Sequence, residues 1–316
     1  MTSAITAQGL RKSFGKQVVL DGIDLDVPAG SVFALLGPNG AGKTTAVHIL
    51  STLLPPDAGS VTVAGHDLTT DADGIRTEIG VTGQFSAVDK LLTGEENLML
   101  MARLRHLGSA AGRARVAELL EQFDLVDAAR KPLATYSGGM SRRLDLAMTL
   151  VGDPSVIFLD EPTTGLDPRS RQTMWQIIRD LVSGGVTIFL TTQYLDEADQ
   201  LADRIAVLDG GRIVATGTPQ ELKRLVPGGH VALTFPTGEA LDSAAALFGA
   251  AADDTLTLRM PLADDEVATV RTLLMRLDTA GIAVDALTIH TPDLDDVFFA
   301  LTGSPTGTPA TTKENS

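Results

Sequence analysis

The sequence predicts an α/β fold with a sheet of mainly parallel strands, followed by a smaller α+β domain. Short apolar runs of β-branched and aliphatic residues, the pattern of strands covered on both faces, occur at 31–36, 156–159 and 186–190. Helical stretches alternate with these strands, which is typical of a parallel sheet flanked by helices. A turn cluster at 225–229 ends the series, and a new alternating strand begins at His230.

The chain of 316 residues is expected to contain one large domain, one small domain and a tail. Residues 1–226 would form the first domain, with a helical subdomain at about 90–150, and residues 227–303 would form the C-terminal domain. The tail, 304–316, is rich in Thr, Pro and Gly, and we expect it to be disordered because it has little apolar surface to bury.

The helices and strands can be placed from hydrophobic periodicity. In the first domain the pattern predicts a further strand at 79–82 and helices at 42–54, 94–106, 111–123, 141–150, 169–182 and 195–202. In the C-terminal domain it predicts strands at 230–235, 255–260 and 282–290, and helices at 239–248, 264–280 and 294–301. The second set is typical of a small two-layer α+β module.

Composition restricts the classes of function. A formal net charge of -15 argues against wholesale binding to nucleic acid or to an anionic lipid surface, because both need a positive field. The chain has no cysteine, which excludes disulfides and thiolate metal sites. No stretch is long and apolar enough to span a bilayer, so we expect that any work at a membrane needs a partner that holds the chain there.

A phosphate-binding loop is predicted between the strand at 31–36 and the helix that follows it. Its residues fit G-x-x-x-x-G-K-[ST] and are Gly37, Pro38, Asn39, Gly40, Ala41, Gly42, Lys43, Thr44 and Thr45. In such a loop the backbone N–H groups and the helix N-terminus point at the phosphates, Lys43 contacts phosphate oxygens, and Thr44 offers its hydroxyl to Mg²⁺. A glycine-rich turn that binds nothing would leave the Lys-Thr pair unexplained. The loop alone fits a kinase, a GTPase, a helicase or a transporter ATPase.

An acidic pair follows the strand at 156–159. Asp160 and Glu161 are expected at the carboxyl edge of the sheet, beside the phosphate loop. Asp160 suits Mg²⁺, directly or through water, and Glu161 suits the base that orients and polarises the attacking water. The alternative is a solvated strand end, since acidic pairs are common. Together with the loop, the pair predicts hydrolysis of a nucleoside triphosphate bound with Mg²⁺.

The order of motifs resembles the ATP-binding subunit of ABC transporters over about the first 225 residues. Tyr136-Ser137-Gly138-Gly139-Met140 lies between the loop and the acidic pair, and Gly165-Leu166-Asp167 follows the pair. The resemblance implies that Ser137, Gly138 and Gly139, at a second helix N-terminus, grip the γ-phosphate of ATP held by the opposite subunit. Read alone, the Ser-Gly-Gly sequence would be a simple helix cap.

The resemblance also implies partners. Neither subunit would complete an active site alone, so two copies of the chain would close head to tail around two ATP molecules. A separate transmembrane permease subunit would hold the pair at the cytoplasmic face of the cell membrane. Asp167 would help the closure and communicate between the two sites, or it is only the Asp of an Asp-Pro turn into the next helix.

Two further positions match the family. Gln84 follows the strand at 79–82 and corresponds to the glutamine loop, whose amide touches Mg²⁺ or the attacking water and whose loop faces the membrane subunit. Phe14 matches the aromatic side chain on which the adenine ring stacks, with core packing as the alternative.

One position departs from the family. Where the family usually has a histidine that hydrogen-bonds the γ-phosphate, this chain has Gln193. A glutamine amide donates the same hydrogen bond but does not titrate in the physiological range. We therefore expect Glu161, Gln193 and Lys43 to carry the catalysis, without an ionisation at Gln193.

Three stretches resemble a narrower group, the daunorubicin/doxorubicin resistance ATP-binding proteins of drug exporters. These stretches are 81–89, 192–199 and 294–303. The resemblance then extends over nearly the whole chain and implies that ATP hydrolysis powers efflux of a drug, antibiotic or other hydrophobic compound. The C-terminal module matches the group's regulatory and assembly segment, with a stability appendage as the alternative.

A contrasting hypothesis is a soluble ABC-type ATPase acting on ribosomes or DNA. Such proteins need two ATPase domains in one chain, or a long coiled-coil insertion between the phosphate loop and the Ser-Gly-Gly signature. The sequence contains neither, and its net charge of -15 does not favour binding to nucleic acid. A small-molecule kinase, the third hypothesis, would leave the signature unexplained.

Overall fold

The computed structural model describes residues 2–83, 88–226, 229–250, 256–262, 266–290 and 292–302. Gln84 and the tail 304–316 lie outside the described residues. The chain divides into two compact units, Met1–Pro219 and Gln220–Ser316. Every helix in the described part of the chain is too short or too polar to cross a bilayer.

The strands of the first unit belong to two sheets. They are β1 (Ser3–Phe14), β2 (Gln17–Pro28), β3 (Val32–Leu36), β4 (Ala58–Val63), β5 (His66–Asp67), β6 (Ile79–Thr82), β7 (Val156–Asp160), β8 (Thr187–Thr192), β9 (Arg204–Asp209) and β10 (Arg212–Gly217). One sheet has the order β2-β1-β4-β5 and the other the order β10-β9-β3-β8-β7-β6.

The six-stranded sheet is parallel apart from its edge strand β10, in agreement with the sequence prediction. Every residue of β3, β7 and β8 is buried, which explains why these strands are apolar on both faces. In register, Leu36 pairs with Thr192 and Asp160 pairs with Thr191. Because the strands are parallel, the residues that follow β3, β7 and β8 meet at one edge of the sheet.

The four-stranded antiparallel sheet was not predicted from the sequence. Strand β1 pairs with both β2 and β4, and its pairing with β2 shifts register between Ala7 and Leu10. Gly9, inside that shift, has a positive φ of 58°. The irregularity breaks the alternation of buried and exposed residues, and that alternation is the signal by which an amphipathic strand is found in a sequence.

The helices of the first unit surround the parallel sheet and form a helical segment between β6 and β7. They are α1 (Lys43–Leu50), α2 (Ala72–Glu78), α3 (Gly94–Leu104), α4 (Ser109–Gln122), α5 (Gly138–Thr149), α6 (Pro168–Ser183) and α7 (Leu195–Leu201). A short helix, α8 (Pro219–Lys223), begins at the last residue of this unit and continues into the second. Helix α3 begins with a capping box in which Thr93 and Glu96 satisfy each other's backbone N–H groups.

Two helix boundaries differ from the prediction in ways that affect the site. Helix α1 ends at Leu50 and not at residue 54, and Thr52 takes a left-handed φ of 66°. Helix α5 begins at Gly138 and not at residue 141, because the side chain of Ser137 accepts a hydrogen bond from the backbone N–H of Met140. The predicted Ser-Gly-Gly signature is therefore itself the start of the helix.

The second unit contains most of α8, a three-stranded antiparallel sheet and three further described helices. The strands, in the order β12-β11-β13, are β11 (His230–Thr234), β12 (Thr257–Pro261) and β13 (Ala286–His290). The helices are α9 (Gly238–Phe248), α10 (Glu266–Ala280) and α11 (Leu294–Thr302). Alternate residues of β11, Val231 and Leu233, pack with Leu241 of α9 and Leu277 of α10 in a core of its own.

Candidate active site

The phosphate loop joins β3 to α1, and close packing of its main chain explains two of its glycines. A Cβ on Gly37 would lie 2.3 Å from the carbonyl oxygen of Leu208. Gly42 has a φ of 110°, and a Cβ there would lie 2.8 Å from the carbonyl oxygen of Val19. Gly42 caps α1 without a side-chain hydrogen bond, so no side chain blocks the N–H groups of the first turn. These N–H groups are suited to bind an anion.

Lys43 is buried in this loop, with 5% of its surface exposed. Its Nζ donates hydrogen bonds to the carbonyl oxygens of Gly37, at 2.8 Å, and Pro38, at 3.1 Å. The same atom lies 3.6 Å from Oε1 of Glu161. Burial lowers the pKa of Lys43, while the nearby charges of Glu161 and Asp160 act in the opposite direction. The structure thus brings the loop lysine and the second member of the acidic pair into contact.

Asp160 is the last residue of β7 and is 2% exposed. Thr191, its partner on β8, donates a hydrogen bond from its hydroxyl to Oδ1 of Asp160. The hydroxyl orients the carboxylate at the edge where the phosphate loop begins. A buried carboxylate in that position offers an oxygen ligand of the type that Mg²⁺ prefers.

Glu161 has a left-handed backbone, with a φ of 49°. This conformation is uncommon for residues other than glycine and costs about 1–3 kcal/mol, so the surroundings must hold it. The backbone N–H of Glu161 donates to the carbonyl oxygen and to the hydroxyl of Thr191, both at 3.1 Å. Thr164 donates from its hydroxyl to Oε2 of Glu161 at 3.2 Å. The turn directs the carboxylate towards Lys43.

Gln193 follows β8 directly and lies between β8 and α7. The preceding residue, Thr192, accepts a hydrogen bond at its carbonyl oxygen from the N–H of Gly37 at 3.2 Å. Gln193 is therefore attached, through its neighbour, to the first residue of the phosphate loop. It is half-buried.

The Ser-Gly-Gly turn starts α5 and is partly exposed. Ser137 and Gly138 are exposed, and Gly139 is half-buried. A Cβ on Gly139 would lie 2.6 Å from the hydroxyl of Ser170, which places this turn against the start of α6. Ser137 has the geometry of a helix cap. Within the single chain, the Ser-Gly-Gly motif therefore acts as the simple helix cap that was the alternative interpretation of the sequence.

Asp167 caps α6. Its carboxylate accepts hydrogen bonds from the N–H of Ser170, at 3.0 Å, and from the hydroxyl of the same residue, at 2.6 Å. These two bonds, that of the hydroxyl first, lower the pKa of Asp167. The Asp-Pro turn considered from the sequence is thus present, and Ser170 connects it to Gly139.

The other predicted residues differ in exposure. Phe14 is 51% exposed at the end of β1, so it is not packed in a core. In the loop, Asn39 and Gly40 are exposed, Ala41 is buried, and Pro38, Thr44 and Thr45 are half-buried. Gln84 lies outside the described residues.

Two residues of the site were missed by sequence reasoning. Thr191 orients Asp160 and holds the backbone of Glu161, and its place at the carboxyl end of a buried strand was a usable signal. Arg142 of α5 donates to main-chain carbonyls around the acidic pair. Burial lowers its pKa, whereas Asp145 and Asp160 act in the opposite direction. Nothing in the local sequence distinguishes Arg142 from its neighbour Arg143.

Comparison with known proteins identifies relatives over at least 95% of the chain. Residues 20–164 match the family model of the ABC transporter. The chain is 49% identical to a daunorubicin resistance ATP-binding protein, DrrA3, of Streptomyces coeruleorubidus, over 95% of this chain and 96% of the relative. It is 47% identical to the daunorubicin/doxorubicin resistance ATP-binding protein DrrA of Streptomyces peucetius, over 96% of this chain and 94% of the relative.

Solved structures of ATP-binding cassettes match about two thirds of the chain. An ATP-binding cassette solved as a dimer in a post-hydrolysis state with ADP and Pi bound superposes with a TM-score of 0.61 and 26% identity. The match covers 68% of this chain and 98% of that structure. With these similarities and the loop, acidic pair and signature in place, the chain belongs to the ABC transporter family, as an ATP-binding and ATP-hydrolysing member related to the daunorubicin/doxorubicin resistance proteins.

Proposed function

We propose that the protein is the ATP-hydrolysing subunit of an exporter that moves a drug, antibiotic or other hydrophobic compound through a separate membrane subunit. The observation that carries the ATPase half is the meeting of Lys43, Asp160 and Glu161 at the carboxyl edge of the parallel sheet. The export half rests on the names of relatives similar over at least 94% of their own length, which are drug resistance ATP-binding proteins.

In this proposal the loop Gly37–Thr45 binds the phosphates of ATP. The main-chain N–H groups at the start of α1 donate to phosphate oxygens, and Lys43 adds a buried positive charge. Phosphate oxygens compete with the carboxylate of Glu161 for the ammonium of Lys43. Phe14, exposed at the end of β1, stacks on the adenine ring.

The chemistry of the donor set fits Mg²⁺ as a cofactor. Thr44 offers a hydroxyl from a half-buried position, and Asp160 offers a carboxylate that Thr191 orients. Mg²⁺ prefers a few protein oxygens and shares its remaining positions with water and phosphate. When bound, the ion neutralises charge on the phosphate oxygens. Gln84, if its amide reaches the ion, would be a further ligand.

Hydrolysis requires a base and a donor near the γ-phosphate. Glu161 accepts a hydrogen bond from the attacking water and polarises it, and the strained turn keeps its carboxylate at a fixed place. Gln193 donates its amide N–H to the γ-phosphate from the position directly after β8. Since an amide does not titrate, the pH dependence of turnover has no contribution from this side chain.

We also propose a head-to-tail homodimer. The Ser137, Gly138 and Gly139 turn is partly exposed at a helix N-terminus and would bind the γ-phosphate of ATP held by a second copy. Asp167, linked to this turn through Ser170, would take part in the closure. A dimeric ATP-binding cassette with ADP and Pi bound, which matches 68% of this chain, supports this assembly.

The remaining proposals concern the cell. The dimer would bind a permease at the cytoplasmic face of the membrane, so that closure on ATP and reopening after hydrolysis move the permease. Residues 1–226 would be the ATP-binding domain, with a helical subdomain at about 90–150 next to the permease, and residues 227–303 would serve regulation or assembly. The tail, 304–316, is too polar to contribute a core.

The test compares wild type with Glu161→Gln. We expect the variant to bind ATP and to accumulate as an ATP-bound dimer, with turnover reduced at least about 100-fold, because the base is removed while the shape is kept. Size-exclusion chromatography with ATP and Mg²⁺ reports the dimer, and phosphate release reports turnover. Normal turnover of Glu161→Gln would show that another group is the base. Co-purification with a membrane protein, and loss of drug efflux with Glu161→Gln in cells, test the export half.

A further inference from the structure

Arg142 has an unusual set of partners for an arginine on a helix. Its guanidinium donates to the carbonyl oxygens of Pro162 (3.0 Å), Gly83 (3.0 Å), Asp160 (3.2 Å) and Glu161 (3.4 Å). It also contacts Oδ2 of Asp145 at 3.3 Å. Only 13% of the side chain is exposed. The planar fork of arginine, with donors in fixed directions, is suited to hold several acceptors at once.

These carbonyls belong to two loops of the proposed site. Asp160, Glu161 and Pro162 form the turn at the end of β7, and Gly83 ends the described stretch after β6, next in sequence to Gln84. The turn contains the left-handed residue Glu161, whose carboxylate is the proposed base. Such a conformation persists only where the surroundings determine it, and three hydrogen bonds from one buried cation to the carbonyls of the turn are a means of doing so.

Arg142 also belongs to the helix of the signature. Helix α5 begins at Gly138, is capped by Ser137, and carries Arg142 in its second turn. A displacement of α5 when ATP is bound at Ser137 therefore changes the position of the guanidinium that holds Glu161. One side chain connects the surface that would receive the partner's ATP with the base of the chain's own site.

We propose that Arg142 is a positioning residue for hydrolysis, which holds the strained turn at Glu161 and ties that turn to the helix starting at Ser137. The inference rests on the proposed role of Glu161 as the base. It goes beyond that role because it states that Arg142, on helix α5, determines the orientation of the Glu161 carboxylate. Arg142 acts on Glu161 through the main chain of the turn, because its guanidinium donates to the carbonyl oxygens of Asp160, Glu161 and Pro162.

Two substitutions in the full chain test the proposal. Arg142→Gln removes the charge and most donors. Arg142→Lys keeps the charge and the buried stem, but one ammonium cannot serve four separated carbonyls. Both variants should bind a fluorescent ATP analogue within about threefold of wild type. We expect kcat to fall about 100-fold for Arg142→Gln and about tenfold for Arg142→Lys, with KM nearly unchanged. A displacement of the catalytic base by about 1 Å reduces the rate by factors of this size.

The matched control is Arg115→Gln. Arg115 of α4 is also largely buried, at 21% exposure, and donates to a main-chain carbonyl, that of Leu150, at 2.8 Å. It ion-pairs with Glu118 and Asp153 but contacts none of the residues of the turn at Glu161. We expect Arg142→Gln and Arg115→Gln to lower the melting temperature by similar amounts. Only Arg142→Gln should lower kcat.

A double-substitution cycle separates positioning from general damage. If Arg142 acts through Glu161, Arg142→Gln should not reduce further the residual turnover of Glu161→Gln. A further reduction of tenfold or more, or equal effects of Arg142→Gln and Arg115→Gln on kcat, would overturn the proposal. Normal turnover of Glu161→Gln would instead show that the proposed base is wrong. If Arg142→Gln does not fold, a kcat of Arg142→Lys equal to wild type would overturn the proposal and a tenfold loss would support it.

Discussion

The ammonium of Lys43 lies 3.6 Å from the carboxylate of Glu161, within one buried site formed by loops that are far apart in sequence. Lys43 also donates to the carbonyls of Gly37 and Pro38, so the loop is closed on its own lysine. Both side chains are proposed to act in the same reaction. In that proposal ATP exchanges the contact of Lys43 with Glu161 for contacts with phosphate, which leaves the carboxylate free to orient water.

Replacing Lys43 tests this exchange. Lys43→Met keeps the apolar stem and removes the charge-assisted bonds to phosphate, each of which contributes about 1.5–3 kcal/mol. We expect ATP affinity to fall about 10–100-fold and turnover to be lost. Equilibrium binding of a fluorescent ATP analogue measures the affinity, with circular dichroism as the control for folding. Unchanged affinity would exclude Lys43 from the nucleotide site.

Gln193 can be tested by its effect on the pH profile. Gln193→Ala removes the proposed donor to the γ-phosphate, and we expect kcat to fall at least about tenfold. Gln193→His should retain turnover but acquire an ionisation near the ordinary histidine pKa of about 6.5, which wild type lacks. Profiles of kcat from about pH 5.5 to 8.5 measure the difference. Full activity of Gln193→Ala would remove this residue from the site.

Phe14 is expected to matter for nucleotide affinity more than for stability. Because it is half exposed, Phe14→Ala should change the free energy of unfolding by less than about 1 kcal/mol. Loss of stacking on adenine should weaken ATP binding about tenfold, and Phe14→Trp should restore it. Val18, which is 56% exposed near the same hairpin, provides the control substitution Val18→Ala. Equal affinities of Phe14→Ala and Val18→Ala would contradict the stacking role.

Asp167 caps a helix and is proposed to assist closure, and the two roles can be separated. Asp167→Ala should lose about 1 kcal/mol of stability, because the N–H of Ser170 loses its partner. Asp167→Ser restores a cap but not the charge, so its stability should be close to wild type. If the carboxylate also serves closure, Asp167→Ser should lower steady-state ATPase several-fold. Wild-type turnover in Asp167→Ser would reduce Asp167 to a helix cap.

Glu197 gives a prediction for stability against pH. This fully buried carboxyl accepts hydrogen bonds at Oε1 from Thr163, at 2.8 Å, and Trp175, at 3.3 Å. Burial raises its pKa, and the hydrogen-bonding side chains oppose the rise. The folded chain therefore holds the proton more tightly than the unfolded chain. Wild-type stability falls as pH rises from the ordinary pKa of a glutamate to the raised one.

Glu197→Gln resembles the protonated form and lacks this fall. The stability of the variant relative to wild type should increase as pH rises above the ordinary glutamate pKa, as measured by urea unfolding at a series of pH values. Glu96 provides the opposite case, since hydrogen bonds from Thr93 lower its pKa. The loss of stability from protonating Glu96 occurs below the ordinary pKa, so Glu96→Gln should show a constant difference over the same range. A constant difference for Glu197→Gln would contradict the assigned shift.

Local motifs made the nucleotide loop and the acidic pair predictable from the sequence. The loop needs glycines where its main chain contacts Leu208 and Val19, and it needs a lysine at the start of a helix. These residues lie close together in the sequence, so a short motif is enough to identify the loop. The parallel sheet was likewise predictable, because β3, β7 and β8 are buried on both faces. The antiparallel sheet was not, because register shifts in β1 disturb its alternation.

The sequence by itself determined that this chain binds and hydrolyses a nucleotide, because the motifs are contiguous and their order is that of a known family. Only the tertiary structure decided which side chains act on each other. Thr191 orients Asp160 across adjacent strands, and Arg142 holds the turn of Glu161 from another helix. Such contacts join residues that are distant along the chain. A local pattern of charge or hydrophobicity therefore does not predict which arginine or threonine lies at the site.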